Sequence, residues 1–155
     1  MNAFLEHIIL NVSNPKVSFP FYKDLFGYFE YNLFAEKSNH VAFRKKGTAD
    51  FWIVATDSKY ISNGFHRKNT GINHFAFHAS SKGEVDRFYK EFLKPRGTKT
   101  LYESPKSFPE YAPDYYAVFF EDPDRIKLEV ASFAIKHVWK SLLSHFLKAA
   151  TAFIY

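Results

Sequence analysis

The sequence contains an internal repeat, which becomes visible when the 155-residue chain is displaced on itself by 67 positions. Residues of the same kind then coincide: His7 with His74, Leu10 with Phe77, Ser13 with Ser80, Phe21 and Tyr22 with Phe88 and Tyr89, Asp24 with Glu91, and Leu25 with Phe92. Self-similarity at a fixed spacing is typical of a chain built from copies of one unit. The repeat therefore favours a fold made of two like halves.

Each copy begins with a segment in which apolar residues recur at every second position, "EHIILNV" in the first copy and "NHFAFHA" in the second. This period predicts a half-buried strand. A helix is predicted next in each copy from its cap and stop residues. The predicted bounds are a cap at Ser13 or Asn14, Pro15 as the first helical residue and a stop at Gly27 in the first copy, and a cap at Ser80 or Ser81 and an end at Pro95 in the second.

Three short strand-like runs follow each predicted helix. They are "YFEYNLF", "HVAFRK" and "DFWIVAT" in the first copy and "TLYE", "YYAVFFED" and "IKLEVAS" in the second. Each copy thus has the order β-α-β-β-β. We expect an α+β fold in which one domain spans residues 1–132, with module one at 1–56, a polar linker at 57–70 and module two at 71–132.

The tail at 133–155 differs from the repeat. Its large apolar residues recur at helical spacing, and its charged residues are lysines without an acid. This pattern predicts a C-terminal amphipathic helix. We expect it to dock on the body of the protein or on a second subunit, and the alternative is a basic helix that lies on a membrane surface.

The composition limits the classes of function. The formal net charge is +5, but the basic residues are scattered along the chain, so nothing beyond net charge favours nucleic-acid binding. The absence of cysteine excludes disulfides, thiolate metal ligands and a cysteine nucleophile. No signal-peptide pattern and no long apolar run is present, so we expect a cytoplasmic protein and a membrane partner is not favoured.

Strand parity brings three polar residues to one surface. In the predicted strands His7, His74 and Glu129 lie on the face opposite to the helix, and Lys127 and Ala131 share the parity of Glu129. Two imidazoles and one carboxylate are a ligand set for Fe, Mn, Ni or Zn in the divalent state. From parity and the repeat alone, a metal site and structural histidines are equally supported.

A resemblance to a known family is carried by "LEHIILNVSNPKVSFPFYKDLFGY", "GINHFAFHASSKGEVDRFYKEFL" and "PEYAPDYYAVFFEDPDRIKLEVAS". These stretches resemble the vicinal oxygen chelate superfamily, which includes glyoxalase I, extradiol dioxygenases, fosfomycin-resistance enzymes and bleomycin-binding proteins. The resemblance covers about residues 4 to 132. Its most specific part is the acid-Pro-Asp turn "EDPD", which precedes the strand that carries the family's ligand glutamate.

The resemblance implies two modules with cupped sheets around a divalent metal. It maps the family's ligand positions onto His7, Ile53, His74 and Glu129. Ile53 departs from the glutamate that glyoxalase I-like isomerases have, which speaks against lactoylglutathione lyase activity. Extradiol dioxygenases and fosfomycin-modifying enzymes use two histidines and one glutamate.

The expected function is that of a metal-dependent enzyme, of dioxygenase, lyase/isomerase or thiol-transferase type. The metal acts as a Lewis acid on a small-molecule substrate with neighbouring oxygens. His78 and Tyr116 are candidates for proton transfer, and Ile53, Phe51 and Tyr115 for the substrate pocket. Relatives of this size imply a homodimer, in which the site is either built within one chain or takes His7 and His74 from different chains.

Two other classes of function remain open at this point. One is a metal-free protein that binds a small molecule in the same cup, as bleomycin-binding relatives do. The other is an interaction protein that uses its basic tail.

Overall fold

The computed structural model describes residues 2–134, so the predicted tail helix lies, from residue 135 onward, outside the described residues. The first module comprises β1 (His7–Val12), α1 (Pro15–Tyr28), β2 (Asn32–Lys37), β3 (His40–Arg44) and β4 (Asp50–Ala55). The second module comprises β5 (His74–His78), α2 (Lys82–Phe88), β6 (Thr100–Ser107), β7 (Tyr116–Glu121) and β8 (Lys127–Ser132). The predicted α+β fold with two β-α-β-β-β modules is confirmed.

The two modules have the same sheet topology. The strand orders are β1-β4-β3-β2 and β5-β8-β7-β6, and in each sheet the first and last strands of the module are parallel while the other pairs are antiparallel. Ile9 is paired with Trp52 in the first sheet, and Ala76 is paired with Glu129 in the second. Because Ile9 and Ala76 are also 67 positions apart, Trp52 is the counterpart of Glu129 in module one.

Local signals explain where both helices begin. The side chain of Asn14 accepts a hydrogen bond from the backbone N–H of Lys16 and caps α1, with Pro15 as the first helical residue. Ser81 caps α2 in the same way through the N–H of Glu84. The first helix extends one residue beyond the predicted stop at Gly27: α1 ends at Tyr28, and the chain leaves it at Glu30, where φ is +61°.

One apolar core joins the modules. The helix-covered faces of both sheets contribute to it, and its aromatic contacts cross from one module to the other: Phe26 packs edge-on against Phe77, and Phe29 packs against Phe88. The acid-Pro-Asp turn adds polar contacts, since Asp122 accepts a hydrogen bond from the hydroxyl of buried Tyr22 at 2.6 Å. The two modules are therefore packed as one body.

The face of each sheet opposite to its helix is called here the cupped face. In the second sheet it carries His74, Ala76 and His78 on β5 and Lys127, Glu129 and Ala131 on β8. Within residues 2–134 no helix has both the length and the apolar character needed to cross a membrane.

The two β4 residues that the sequence assigned to the site, Phe51 and Ile53, lie on the helix-covered face and not on the cupped face. Ile53 is 0% exposed in the core beneath α1, and Phe51 packs against Phe26 of that helix. Trp52 has the opposite parity, and its ring contacts Phe34 and His40. The run "DFWIVA" is apolar on both faces of its strand, so alternation could not show which residues face the helix.

Candidate metal centre on the second sheet

His74 and Glu129 meet on the cupped face of the second sheet. They belong to neighbouring parallel strands, and Nε2 of His74 lies 3.1 Å from Oε2 of Glu129. Glu129 is only 2% exposed, whereas about a third of the His74 side chain is accessible. The pair therefore joins a buried carboxylate to a ring that solutes can reach.

The other nitrogen of His74 fixes the orientation of the ring. Nδ1 lies 2.9 Å from Oδ1 of Asn73, a distance at which the ring N–H donates to the amide oxygen. In the neutral imidazole Nε2 then carries a lone pair that faces a carboxylate oxygen. A proton or a metal cation has to lie between these two electron-rich atoms.

Tyr115 holds the second oxygen of the same carboxylate. Its hydroxyl donates a hydrogen bond to Oε1 of Glu129 at 2.5 Å. Burial, and after it the hydrogen bond to Glu129, raises the pKa of Tyr115 well above its ordinary value, so the phenol stays a donor at neutral pH. One oxygen of Glu129 is thereby oriented by Tyr115 and the other faces His74.

Tyr116 does not reach this centre, which corrects its prediction as a proton-transfer residue. Its hydroxyl donates to Oδ1 of Asp86 on α2 at 2.8 Å, on the helix-covered face of the sheet. Burial is the main cause that raises the pKa of Tyr116 to about 12. The neighbouring position, Tyr115, supplies the phenol at the cupped face.

As predicted, His78 lies on the cupped face, two residues beyond Ala76 on β5. Its ring packs edge-on against Phe133 at 5.0 Å, and Phe133 stacks on Tyr115 at 5.2 Å. Phe108 and Phe119 pack beside them in the second apolar cluster. These rings form an aromatic wall that Glu129 borders through Tyr115 and Phe119, with His78 at its rim.

His7 occupies the equivalent strand of the first sheet but is not brought to this centre within one chain. Nearly half of its side chain is exposed, and its Nδ1 contacts the carboxylate of Glu6. Among residues 2–134 no three His, Asp or Glu side chains are grouped closely enough to hold a metal ion. Like His74, however, His7 has its Nδ1 against a side-chain oxygen of the preceding residue.

A cavity of about 610 Å³ lies between the modules on the helix side. Phe51, predicted as a pocket residue, lines it together with Phe75 and Phe77. His74 and Glu129 are absent from the described residues that line it, and Ile53 is sealed in the core. We therefore place the candidate site at the His74–Glu129 pair rather than in this larger cavity.

Sequence reasoning missed one contributor to the centre, Asn73, which orients the His74 ring. The available signal for Asn73 was its position directly before a candidate ligand histidine.

A family model described as the Glyoxalase/Bleomycin resistance protein/Dioxygenase superfamily matches residues 4–130. The chain belongs to this superfamily. The Bacillus subtilis (strain 168) protein YqjT is 37% identical over 134 residues, in a match that covers 83% of this chain and 98% of YqjT. A solved structure from Bacillus halodurans, described as a candidate glyoxalase, is also 37% identical, with a TM-score of 0.76 and coverage of 83% of this chain and 95% of that one.

The fold is shared with more distant members of the superfamily. The fosfomycin resistance protein FosX from Listeria monocytogenes is 24% identical, with a TM-score of 0.62 and coverage of 88% of this chain and 98% of that one. The strand register of the first sheet changes the assignment of Ile53 to a ligand position of the family. Trp52, rather than Ile53, stands where module two has Glu129, and neither side chain can ligate a metal.

Proposed function

We propose that the protein is a metal-dependent enzyme of small-molecule metabolism, with a divalent metal held by His74 and Glu129 of one chain and His7 of a second copy. The observation that carries the proposal is the contact between His74 Nε2 and Glu129 Oε2. Superfamily membership supports it, because members with two histidines and one glutamate use such a metal.

The spacing of the pair fits a shared ion. Two ligand atoms that each lie about 2.1 Å from one metal, at angles between the octahedral and tetrahedral values, are about 3.0 to 3.4 Å apart. The observed separation is 3.1 Å. The hydrogen bonds to Asn73 and Tyr115 are of the kind that orients metal ligands from behind. Imidazole nitrogen and carboxylate oxygen suit Zn, Fe, Mn or Ni in the divalent state.

The third ligand requires a second chain. His7 lies on β1 and His74 on β5, and each of these strands is at the edge of its sheet. A strand edge with unpaired backbone groups is a surface on which another chain can assemble. The matching arrangement of Glu6 behind His7 and Asn73 behind His74 supports equivalent roles for the two rings. We infer a homodimer in which the two edges bring these histidines together.

When bound, the metal supplies Lewis-acid stabilisation of negative charge on one of two neighbouring substrate oxygens. Tyr115 keeps the Glu129 carboxylate in place by its hydrogen bond. His78 is the titratable group at the rim of the aromatic wall, and we propose that it moves the proton at its exposed ring. Because Trp52 supplies no carboxylate, we propose chemistry other than that of lactoylglutathione lyase.

The metal content of the purified protein tests this proposal. Protein purified without added metal, and after reconstitution with Fe, Mn, Ni and Zn, is measured by elemental analysis beside His74→Ala and Glu129→Ala. Glu103→Ala is the control, because Glu103 lies on β6 of the same sheet with its side chain almost fully exposed. We expect about one ion per chain in the wild type and the control and none in the two site variants. A metal-free wild type would instead favour binding of a ligand in the aromatic cup without metal.

A further inference from the structure

Lys127 lies on the cupped face of the second sheet beside the candidate metal ligands. In the ladders it is directly opposite His74 on β5 and Glu121 on β7, and Glu129 is two residues further along its own strand. Only 9% of Lys127 is exposed. Parity predicted its position, but the proposed chemistry does not use it.

The ammonium group of Lys127 contacts aromatic rings. Nζ lies 5.1 Å from the ring centroid of Phe119 and 5.6 Å from that of Tyr102. Such rings attract a positive charge, but they do not replace the oxygen acceptors that the three N–H donors of an ammonium can use. Among residues 2–134 no side chain or backbone oxygen accepts a hydrogen bond from this group, and no carboxylate forms an ion pair with it.

The acids closest to Lys127 in the sheet have other partners. Glu121 accepts a hydrogen bond from Arg67 at 2.8 Å. The two oxygens of Glu129 face His74 and Tyr115. The stem of Lys127 is buried while solvent reaches the ammonium at its tip, so its N–H donors are available to an incoming anion.

We propose that Lys127 binds an anionic group of the substrate, and that the enzyme therefore acts on small molecules that carry a carboxylate, phosphate or phosphonate in addition to their metal-binding oxygens. This inference rests on the proposed metal site. The geometry places the anion close to it, because Phe119, over which the ammonium lies, is paired directly with Glu129 in the ladder between β7 and β8.

Lys82 provides a matched control on the other side of the sheet. Its Nζ lies 5.6 Å from the ring centroid of Tyr116, so it makes a similar cation–π contact. Tyr116, however, belongs to the helix-covered face. Replacement of Lys82 removes one positive charge and one such contact without altering the cupped face.

The test is a calorimetric titration of the metal-loaded protein with inorganic phosphate and, separately, with acetate, which distinguishes a tetrahedral from a planar anion. The proteins are the wild type, Lys127→Met, Lys127→Arg and Lys82→Met, each with its metal content measured. We expect Lys127→Met to keep the metal and to bind the preferred anion about tenfold more weakly or worse, since a charged hydrogen-bond partner is lost. Lys127→Arg should restore most of the affinity, and Lys82→Met should match the wild type.

Anion affinity that is equal in metal-loaded wild type and Lys127→Met would overturn the inference, because the metal alone would then hold the anion. Absence of binding of both anions to the wild type would also overturn it. If the wild type holds no metal, the proposed function fails, and the same titrations on metal-free protein decide about Lys127 separately. If the metal-free protein binds the anion and this binding depends on Lys127, the proposed anion site is confirmed. If no such binding is found, the proposed anion site is wrong.

Discussion

The hydroxyl of Tyr115 donates a hydrogen bond to Oε1 of Glu129, while the next residue, Tyr116, donates to Asp86 on the other side of the sheet. Adjacent residues on an extended chain point to opposite faces, so the two phenols have different environments although they are neighbours in sequence. One phenol orients a candidate metal ligand, and the other ties the sheet to α2.

This difference predicts opposite effects for two otherwise identical substitutions. Tyr115→Phe should lower metal affinity about 10- to 100-fold, as loss of a hydrogen bond behind a ligand does in other metal sites. Tyr116→Phe should leave metal affinity unchanged and lower the free energy of unfolding by about 1 to 2 kcal/mol, because one hydrogen bond to a carboxylate is lost. Metal titration and chemical denaturation of both variants check the prediction. Equal metal affinity in the two variants would show that Tyr115 does not support the site.

The register of β4 can be tested by moving a carboxylate along the strand. Ile53→Glu should destabilise the protein by about 3 kcal/mol or more, since it places a charge in the core without a partner. Trp52→Glu should cost less, because the new carboxylate lies on the cupped face and remains partly exposed. Thermal or denaturant unfolding measures both, and the reverse order of stability would contradict the assignment of Trp52 to that face.

The turn between β7 and β8 predicts a pH dependence of stability. Burial raises the pKa of Asp122 to about 6, against an unfolded value of about 3.9. Between these two values the native state binds more protons than the unfolded state, so stability from this group falls as pH rises from about 4 to about 6 and is constant above that. The total is about 3 kcal/mol for a shift of about two units.

Asp122→Asn is the variant that isolates this contribution. An asparagine keeps an oxygen that can accept from the backbone N–H groups of Asp124 and Ile126 but does not titrate. The unfolding free energy of the wild type minus that of the variant should therefore decline between pH 4 and pH 6.5, as measured by urea denaturation at several pH values. A constant difference across this range would mean that Asp122 has no raised pKa.

Removal of residues 135–155 should leave the metal site intact, because all of the proposed ligands lie between His7 and Glu129. The residues matched by the family model, 4–130, also end before this segment. Metal content and the unfolding transition of the shortened protein check this. Loss of the metal with retained folding would assign the tail a part in the site.

Much of the fold could be predicted because the repeat and the strand periods agree. The parity of β5 and β8 was correct, since Phe75, Phe77, Leu128 and Val130 form an apolar face that only the helix side can bury. Which face of β4 lies in the cup could not be predicted, because both faces of that strand are apolar. The sequence could not show which of Tyr115 and Tyr116 faces the cup, since either ring can be half-buried on either face of the sheet.

The candidate site was predicted only in part for a different reason. His74 and Glu129 belong to one module, and strand pairing within that module brings them together. His7 belongs to the other module, whose cupped face is on a separate sheet. Strand pairing therefore does not determine the position of the His7 ring relative to His74 and Glu129. The proposed answer is a second copy of the chain.

The most direct test of this account is the metal content of a hybrid dimer of His7→Ala and His74→Ala chains. The two chains are co-expressed with different tags that do not bind metal, and dimers are purified through both tags in turn. If each site takes His7 from one chain and His74 with Glu129 from the other, the hybrid has one complete site and should hold about one ion per dimer, while each variant alone holds none. A hybrid without metal, beside a wild type that retains it, would contradict a site shared between two chains.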